Sequence, residues 1–105
     1  MYQKHQYIRS KKLLKAVAGL DCQSCGAGET VQAAHSNQLK HGKGRGIKAS
    51  DQYIAALCLR CHFTIDQGSK LSKEERQEMW EKAHRRTVQA LLDRGEWPED
   101  VPLPQ

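Results

Sequence analysis

The 105-residue sequence lacks any uninterrupted apolar run of the roughly 18 or more residues that a membrane-spanning helix needs. Residues 1–10 are polar and charged, without the apolar segment of a secretory signal. Only six residues are aromatic, so the hydrophobic core of so short a chain is thin and calls for a cross-link. We therefore expect one cytoplasmic domain over residues 1–105, with no membrane partner and with a metal as its cross-link.

The positive charge is concentrated in the first half of the chain. Residues 1–50 contain nine Lys and Arg against two acids, and residues 51–105 contain eight against ten. This distribution predicts a surface that binds the phosphates of nucleic acid, and we expect DNA rather than RNA. The alternative is a basic surface that only aids solubility. The side chains that we expect to contact phosphate are Lys43, Arg45 and Lys48 in a glycine-rich loop, and Lys11, Lys12 and Lys15 before it.

Local signals predict an α+β fold in which one short helix precedes a small sheet in the chain, another short helix follows it, and a long helix comes last. Ser10 and Gly19 bound the first helix, Ser72 and Glu75 form a capping box before the last one, and Gly95 ends it. The predicted elements are helix 10–18, strand 30–35, strand 52–57, helix 62–67, helix 72–94 and an extended tail over 96–105. The core is predicted to lie within about residues 19–70.

Two Cys-x-x-Cys motifs, Cys22 to Cys25 and Cys58 to Cys61, are separated by 32 residues. Each motif places two thiolates on one side of a tight turn, and two such turns complete a tetrahedral zinc site. Disulfides would need an oxidising compartment, and a thioredoxin-like pair would need a βαβ setting that the sequence does not show. Four thiolates leave no open coordination position, so we expect the zinc to be structural.

Three further residues form a candidate catalytic group. His62 and Asp66 are four residues apart and share one face of the predicted helix, where they could hold a divalent cation, or else form a local hydrogen bond. His35 ends the first predicted strand, and the zinc joins the two ends of that hairpin, so we expect His35 to lie near His62. His84 falls on the long helix, where we expect it to be a surface or packing residue.

The order of these motifs resembles the zinc-containing HNH (ββα-metal) endonucleases. The residues that carry the resemblance are Ala34-His35, Gly46-Ile47-Lys48, Ser50-Asp51, Cys58-x-x-Cys61-His62, Ile65-Asp66 and Ala83-His84-Arg85-Arg86-Thr87. More narrowly, they are similar to the small prophage-encoded nucleases of the YbcO type. The likeness covers about residues 11–97.

The resemblance implies a ββα-metal core, with His35 as the general base on a water and His62 as a ligand of the catalytic metal. Asp66 would complete that site, and magnesium or manganese would be the ion. Two departures from the family pattern stand out: Ala34 replaces the usual acidic or histidine ligand, and the central asparagine is absent. Asp51 and His41 are the candidates for the missing ligand.

These observations together predict a metal-dependent endonuclease with weak sequence preference. Histidine takes up and releases protons near neutral pH, which suits the role given to His35. The first alternative is a non-catalytic nucleic-acid-binding zinc module. The second is a protein-interaction adaptor that uses the long helix.

Overall fold

The computed structural model describes residues 7–38, 49–68 and 70–104. Within these residues the chain forms helices and a two-stranded antiparallel sheet, so the predicted α+β class is confirmed. In chain order the elements are helix α1 (Lys11–Ala18), strand β1 (Gln32–His35), strand β2 (Ile54–Leu57), helix α2 (Leu59–Gln67) and helix α3 (Lys73–Arg94). No helix in this described part of the chain is long and apolar enough to cross a membrane.

Local side-chain contacts set the bounds of α1 and α3. The Ser10 hydroxyl accepts the Leu13 N–H at 3.1 Å, which satisfies a free donor in the first turn of α1. Ser72 and Glu75 form a reciprocal capping box at the start of α3, with distances of 3.1 and 2.8 Å. Gly95 ends α3 with a φ of 67°, a conformation that glycine adopts without strain. Both helices therefore begin and end where these signals predict.

Both strands begin two residues later than predicted. Thr30 has a φ of 58°, a left-handed conformation that interrupts extended chain, so β1 begins at Gln32. A turn precedes β2, closed by the Tyr53 N–H donating to the Ser50 carbonyl at 3.0 Å. Helix α2 begins at Leu59, three residues before its predicted start.

The sheet is a short hairpin with core residues on both faces, and strand β2 is buried along its whole length. Gln32 lies opposite Leu57, and His35 lies opposite Ile54. Successive side chains alternate between the faces. The face that we call the cysteine face is formed by Ala34, Ala55 and Leu57, which pack with three of the cysteines (Cys22, Cys58 and Cys61), Ile65, Trp80 and Ala83. The other, the α1 face, is formed by Ala33, Ile54 and Ala56, which pack with Leu13, Val17 and Leu91.

Helix α3 is bonded to the hairpin by polar side chains. Thr87, which is fully buried, accepts the Ala56 N–H at 2.9 Å and donates to the Ala83 carbonyl at 2.8 Å. The Trp80 indole N–H donates to the Ala34 carbonyl at 3.0 Å. These bonds satisfy buried backbone groups that a two-stranded sheet leaves unpaired, so they fix α3 across the sheet.

His84 is one of these packing residues, which settles its predicted position between surface and core. It is 7% exposed, its ring stacks on Trp80 with centroids 4.7 Å apart, and its Nδ1–H donates to the Ile54 carbonyl at 2.7 Å. Burial lowers the pKa of His84 below its ordinary value of 6.5, and the hydrogen bond to Ile54 only partly opposes that shift. The fold thus favours a neutral imidazole here.

Candidate functional site

Four cysteines from two distant turns converge at one point. Cys22 and Cys25 precede β1, whereas Cys58 and Cys61 lie at the start of α2. Their Sγ atoms all lie within 4.8 Å of one another, and the sulfurs of Cys25 and Cys58 are 3.6 Å apart. All four are free cysteines. Sulfurs bound at about 2.3 Å to one tetrahedral zinc lie about 3.8 Å apart, so the cluster could hold such an ion.

The electrostatics of the cluster also suit a cation. Burial opposes ionisation of Cys22, but backbone N–H groups, those of Cys25 and Cys58 first, lower the pKa of this thiol to about 6. Burial and the neighbouring thiols raise the pKa of Cys61 to about 12. Four thiolates so close together need a compensating positive charge, which a divalent ion supplies.

A buried carboxylate holds the His35 ring. His35 Nε2 lies 2.8 Å from Asp51 Oδ1, and the two side chains are 17% and 2% exposed. An ionised carboxylate only accepts hydrogen bonds, so the proton of a neutral imidazole here is on Nε2. Nδ1 has no hydrogen-bond partner among the described residues and is left as a proton acceptor.

The segment before α1 balances the charge of Asp51. Its Oδ2 accepts the Ser10 N–H at 2.6 Å, and the Arg9 guanidinium lies 3.6 Å from its Oδ1. The Asp51 N–H donates to the Ile8 carbonyl at 2.8 Å, which fixes the backbone of this residue. Because both carboxylate oxygens are engaged, the geometry favours Asp51 as the partner of His35 over the role of metal ligand left open by the sequence.

The second pair, His62 and Asp66, lies on α2, with His62 Nε2 3.0 Å from Asp66 Oδ2. His62 Nδ1 donates to the Gln32 side-chain oxygen at 2.8 Å, and Asn37 donates its amide N–H to Asp66 Oδ1 at 2.7 Å. With one imidazole proton on Nδ1, Nε2 and the carboxylate are two acceptors that need a proton or a cation between them. Ligands at right angles on a magnesium ion are also about 3.0 Å apart.

The two pairs lie on opposite faces of β1, so the described residues show no contact between His35 and His62, which the sequence predicted to lie near each other. His35 points to the α1 face, whereas Gln32, the partner of His62, points to the cysteine face. No hydrogen bond or ion pair joins the pairs within the described residues. The chain connects them at the end of β1, because Asn37, which bonds Asp66, follows His35 by two residues, so the Cα atoms of His35 and Asn37 are about 7 Å apart at most.

The described part of the expected phosphate-binding surface is exposed. Lys11, Lys12 and Lys15 project from α1 and form no ion pair with another described residue. Because Ser10, which caps α1, also bonds Asp51, this basic helix begins beside His35. The remaining predicted contacts, Lys43, Arg45 and Lys48, lie outside the described residues, as does His41, the other candidate metal ligand.

Sequence reasoning missed Gln32 and Asn37 as the residues that hold His62 and Asp66. The sequence signal for them was weak. It consisted of a polar residue, Gln32, on the same face of β1 as the buried Ala34. Among the described residues, the cysteine cluster is the only group of three or more metal-ligating side chains, so His62 and Asp66 supply two ligands without a third.

Comparison of the chain with models of known protein families, with curated proteins and with solved structures gives no match.

Proposed function

We propose that the protein is a metal-dependent endonuclease that hydrolyses phosphodiester bonds in DNA rather than RNA. Its fold is proposed to be stabilised by one structural zinc. The observation that carries the proposal is the 2.8 Å bond between His35 and the buried Asp51. A partly exposed imidazole that is backed by a buried carboxylate is typical of a general base. The likeness of the motifs to HNH endonucleases supports the same assignment.

His35 acts on the attacking water. Its Nε2–H stays bonded to Asp51, and its free Nδ1 accepts a proton from the water while the water oxygen bonds to phosphorus. The phosphorus–oxygen bond to the leaving sugar oxygen then breaks, and the sugar oxygen takes a proton from solvent water to become a hydroxyl. Asp51 is a positioning residue, because it fixes the ring and its tautomer and stabilises the imidazolium that forms.

His62 and Asp66 are proposed to hold one magnesium or manganese ion. Gln32 and Asn37 keep the imidazole nitrogen and the carboxylate oxygen turned toward each other at 3.0 Å. When bound, such an ion supplies positive charge beside the phosphate and the leaving oxygen. Two protein ligands are enough for magnesium, which keeps several waters and binds substrate phosphate directly.

The basic side chains of α1 are proposed to guide the substrate to His35. Lys11 and Lys12 are exposed in the first turn of α1, whose cap residue Ser10 bonds Asp51, and Lys15 is exposed in its last turn. Contacts of this kind bind phosphates without reading bases, so binding should weaken steeply with salt and depend little on sequence.

The proposal is tested by nicking of supercoiled plasmid DNA in magnesium or manganese. We expect His35→Ala to reduce the rate by about 100-fold or more, which is the usual contribution of a general base. Asp51→Asn and Asp66→Asn should reduce it at least tenfold, whereas Asp93→Asn, an exposed carboxylate on α3, should leave it unchanged. Equal nicking by the wild type and His35→Ala would refute the role of His35, and binding without any cleavage would indicate a non-catalytic zinc module.

A further inference from the structure

A polar cavity of about 250 Å³ lies between the end of β1, helix α2 and the first turns of α3. It adjoins the proposed cation site, since Asp66 and Asn37 line one side of it. Lys73, Arg76 and Gln77 of α3 line the opposite side, and Trp80 contributes an apolar surface. Its volume lies near the lower end of the range of about 300–1,000 Å³ found for pockets that hold small-molecule ligands, so it suits one small ligand.

Several donors on the α3 side of this cavity have no partner among the described residues. Lys73 forms no ion pair, and the Gln77 amide forms no hydrogen bond, with another described residue. Arg76 donates from its NH1 to the carbonyls of Ile65 and Asp66, but its Nε is buried without a hydrogen-bond partner there. Because the buried Nε is shielded from solvent, the groups left to bind a ligand are the Lys73 ammonium, the Gln77 amide and the rest of the Arg76 guanidinium.

We propose that this cavity binds one unstacked nucleotide of a nucleic-acid strand, with its phosphate between Lys73 and Arg76 and its base against Gln77. Two cationic side chains match one phosphate, and the amide groups of Gln77 and Asn37 can hydrogen-bond a base edge. The inference rests on the proposed function, which places the phosphodiester that is cut beside Asp66.

The size of the cavity then restricts the substrate. A space of about 250 Å³ admits one nucleotide unit but not a stacked base pair. A base must leave its stack to enter, which costs least in a single strand. The protein should therefore cleave single-stranded nucleic acid faster than duplex.

The test is a titration of the full-length, zinc-loaded protein without other divalent ions, so that binding is measured apart from cleavage. The probes are thymidine 5′-monophosphate and, separately, inorganic phosphate, observed through the indole N–H signals in nitrogen-15 NMR spectra. The Trp80 signal should shift, and the signal of Trp97, which lies beyond the far end of α3, should not. The nucleotide should bind at least about tenfold more tightly than phosphate.

Matched variants separate the two parts of the ligand. Gln77→Leu should weaken nucleotide binding about tenfold and leave phosphate binding unchanged, whereas Gln89→Leu, farther along α3, should change neither. Lys73→Gln should weaken both ligands, and Lys82→Gln, an exposed lysine on the same helix, should weaken neither.

Equal affinity for the nucleotide and for inorganic phosphate would overturn the inference, and so would nucleotide binding that does not move the Trp80 signal. These results are independent of the proposed function. Metal-dependent cleavage without nucleotide binding would refute the nucleotide site and leave the proposed nuclease activity standing. Nucleotide binding without cleavage would refute the nuclease activity and leave the nucleotide site standing.

Discussion

Removal of the metal from the four-cysteine cluster should unfold the protein. The cluster links the turn before β1 to the start of α2, which are otherwise joined by weaker contacts such as the hydrogen bond from the Leu59 N–H to the Thr30 hydroxyl at 3.2 Å. The hairpin itself contributes mostly alanines to the core, namely Ala33, Ala34, Ala55 and Ala56. Chelation of zinc is the direct perturbation, and Cys25→Ser is its genetic counterpart.

The magnitude follows from two ranges. A domain of this length has a free energy of unfolding of about 5–15 kcal/mol. Structural zinc contributes about 10–16 kcal/mol of apparent binding free energy in small zinc-finger peptides at neutral pH. Because the second range covers the upper half of the first and extends beyond it, loss of zinc removes most or all of the stability, and the metal-free chain should be largely unfolded at 25 °C.

The assay combines metal content with thermal unfolding followed by circular dichroism. We expect one zinc per chain, loss of the cooperative transition after chelation, and its return when zinc, but not magnesium, is added back. Cys25→Ser should behave like the chelated protein, whereas Ser24→Ala, in the same turn, should retain zinc and most of its stability. A chelated protein that unfolds cooperatively within a few degrees of the untreated one would refute this reasoning.

Two further predictions concern the contacts between α3 and the sheet. Thr87→Val leaves the buried Ala56 N–H without its acceptor and should lower the free energy of unfolding by about 1–3 kcal/mol in denaturant titrations. The control Thr64→Val, at a partly exposed position, should lower it less, and equal losses would contradict this account. Because the pKa of His84 is lowered in the folded state, below about pH 6.5 the unfolded chain binds a proton at this residue more readily than the folded chain does. The contribution of His84 to stability is therefore complete above that pH and is lost as the pH falls. The Tm of wild-type protein should therefore drop more between pH 7.5 and 5.5 than the Tm of His84→Gln, and parallel drops would exclude this role.

The features that the sequence predicted well are those with short-range causes. The α+β class, the caps of α1 and α3 and the cysteine cluster all follow from spacings of a few residues, such as Ser72 to Glu75 or Cys22 to Cys25. The pairing of His62 with Asp66 follows likewise from a four-residue spacing on one helix.

The features that it could not predict depend on contacts distant in sequence. Asp51 bonds His35 because the segment around Ser10 folds back along residues 49–51, and no spacing signals that return. The direction of His35 depends on the register of β1, which directs the ring to the α1 face. The cavity beside Asp66 needs three elements together, so its lining residues, such as Gln77, carry no sequence signal.

The central claim, that His35 takes the proton from the attacking water, is tested most directly by chemical rescue. His35→Ala removes a partly exposed ring from beside Asp51, and free imidazole can enter the space and accept the proton instead. In manganese, we expect imidazole to raise the cleavage rate of His35→Ala at least tenfold, and to leave the wild type and Asp66→Asn unchanged. A folded, zinc-loaded His35→Ala that cleaves as fast as the wild type, or that imidazole does not accelerate, would contradict the account.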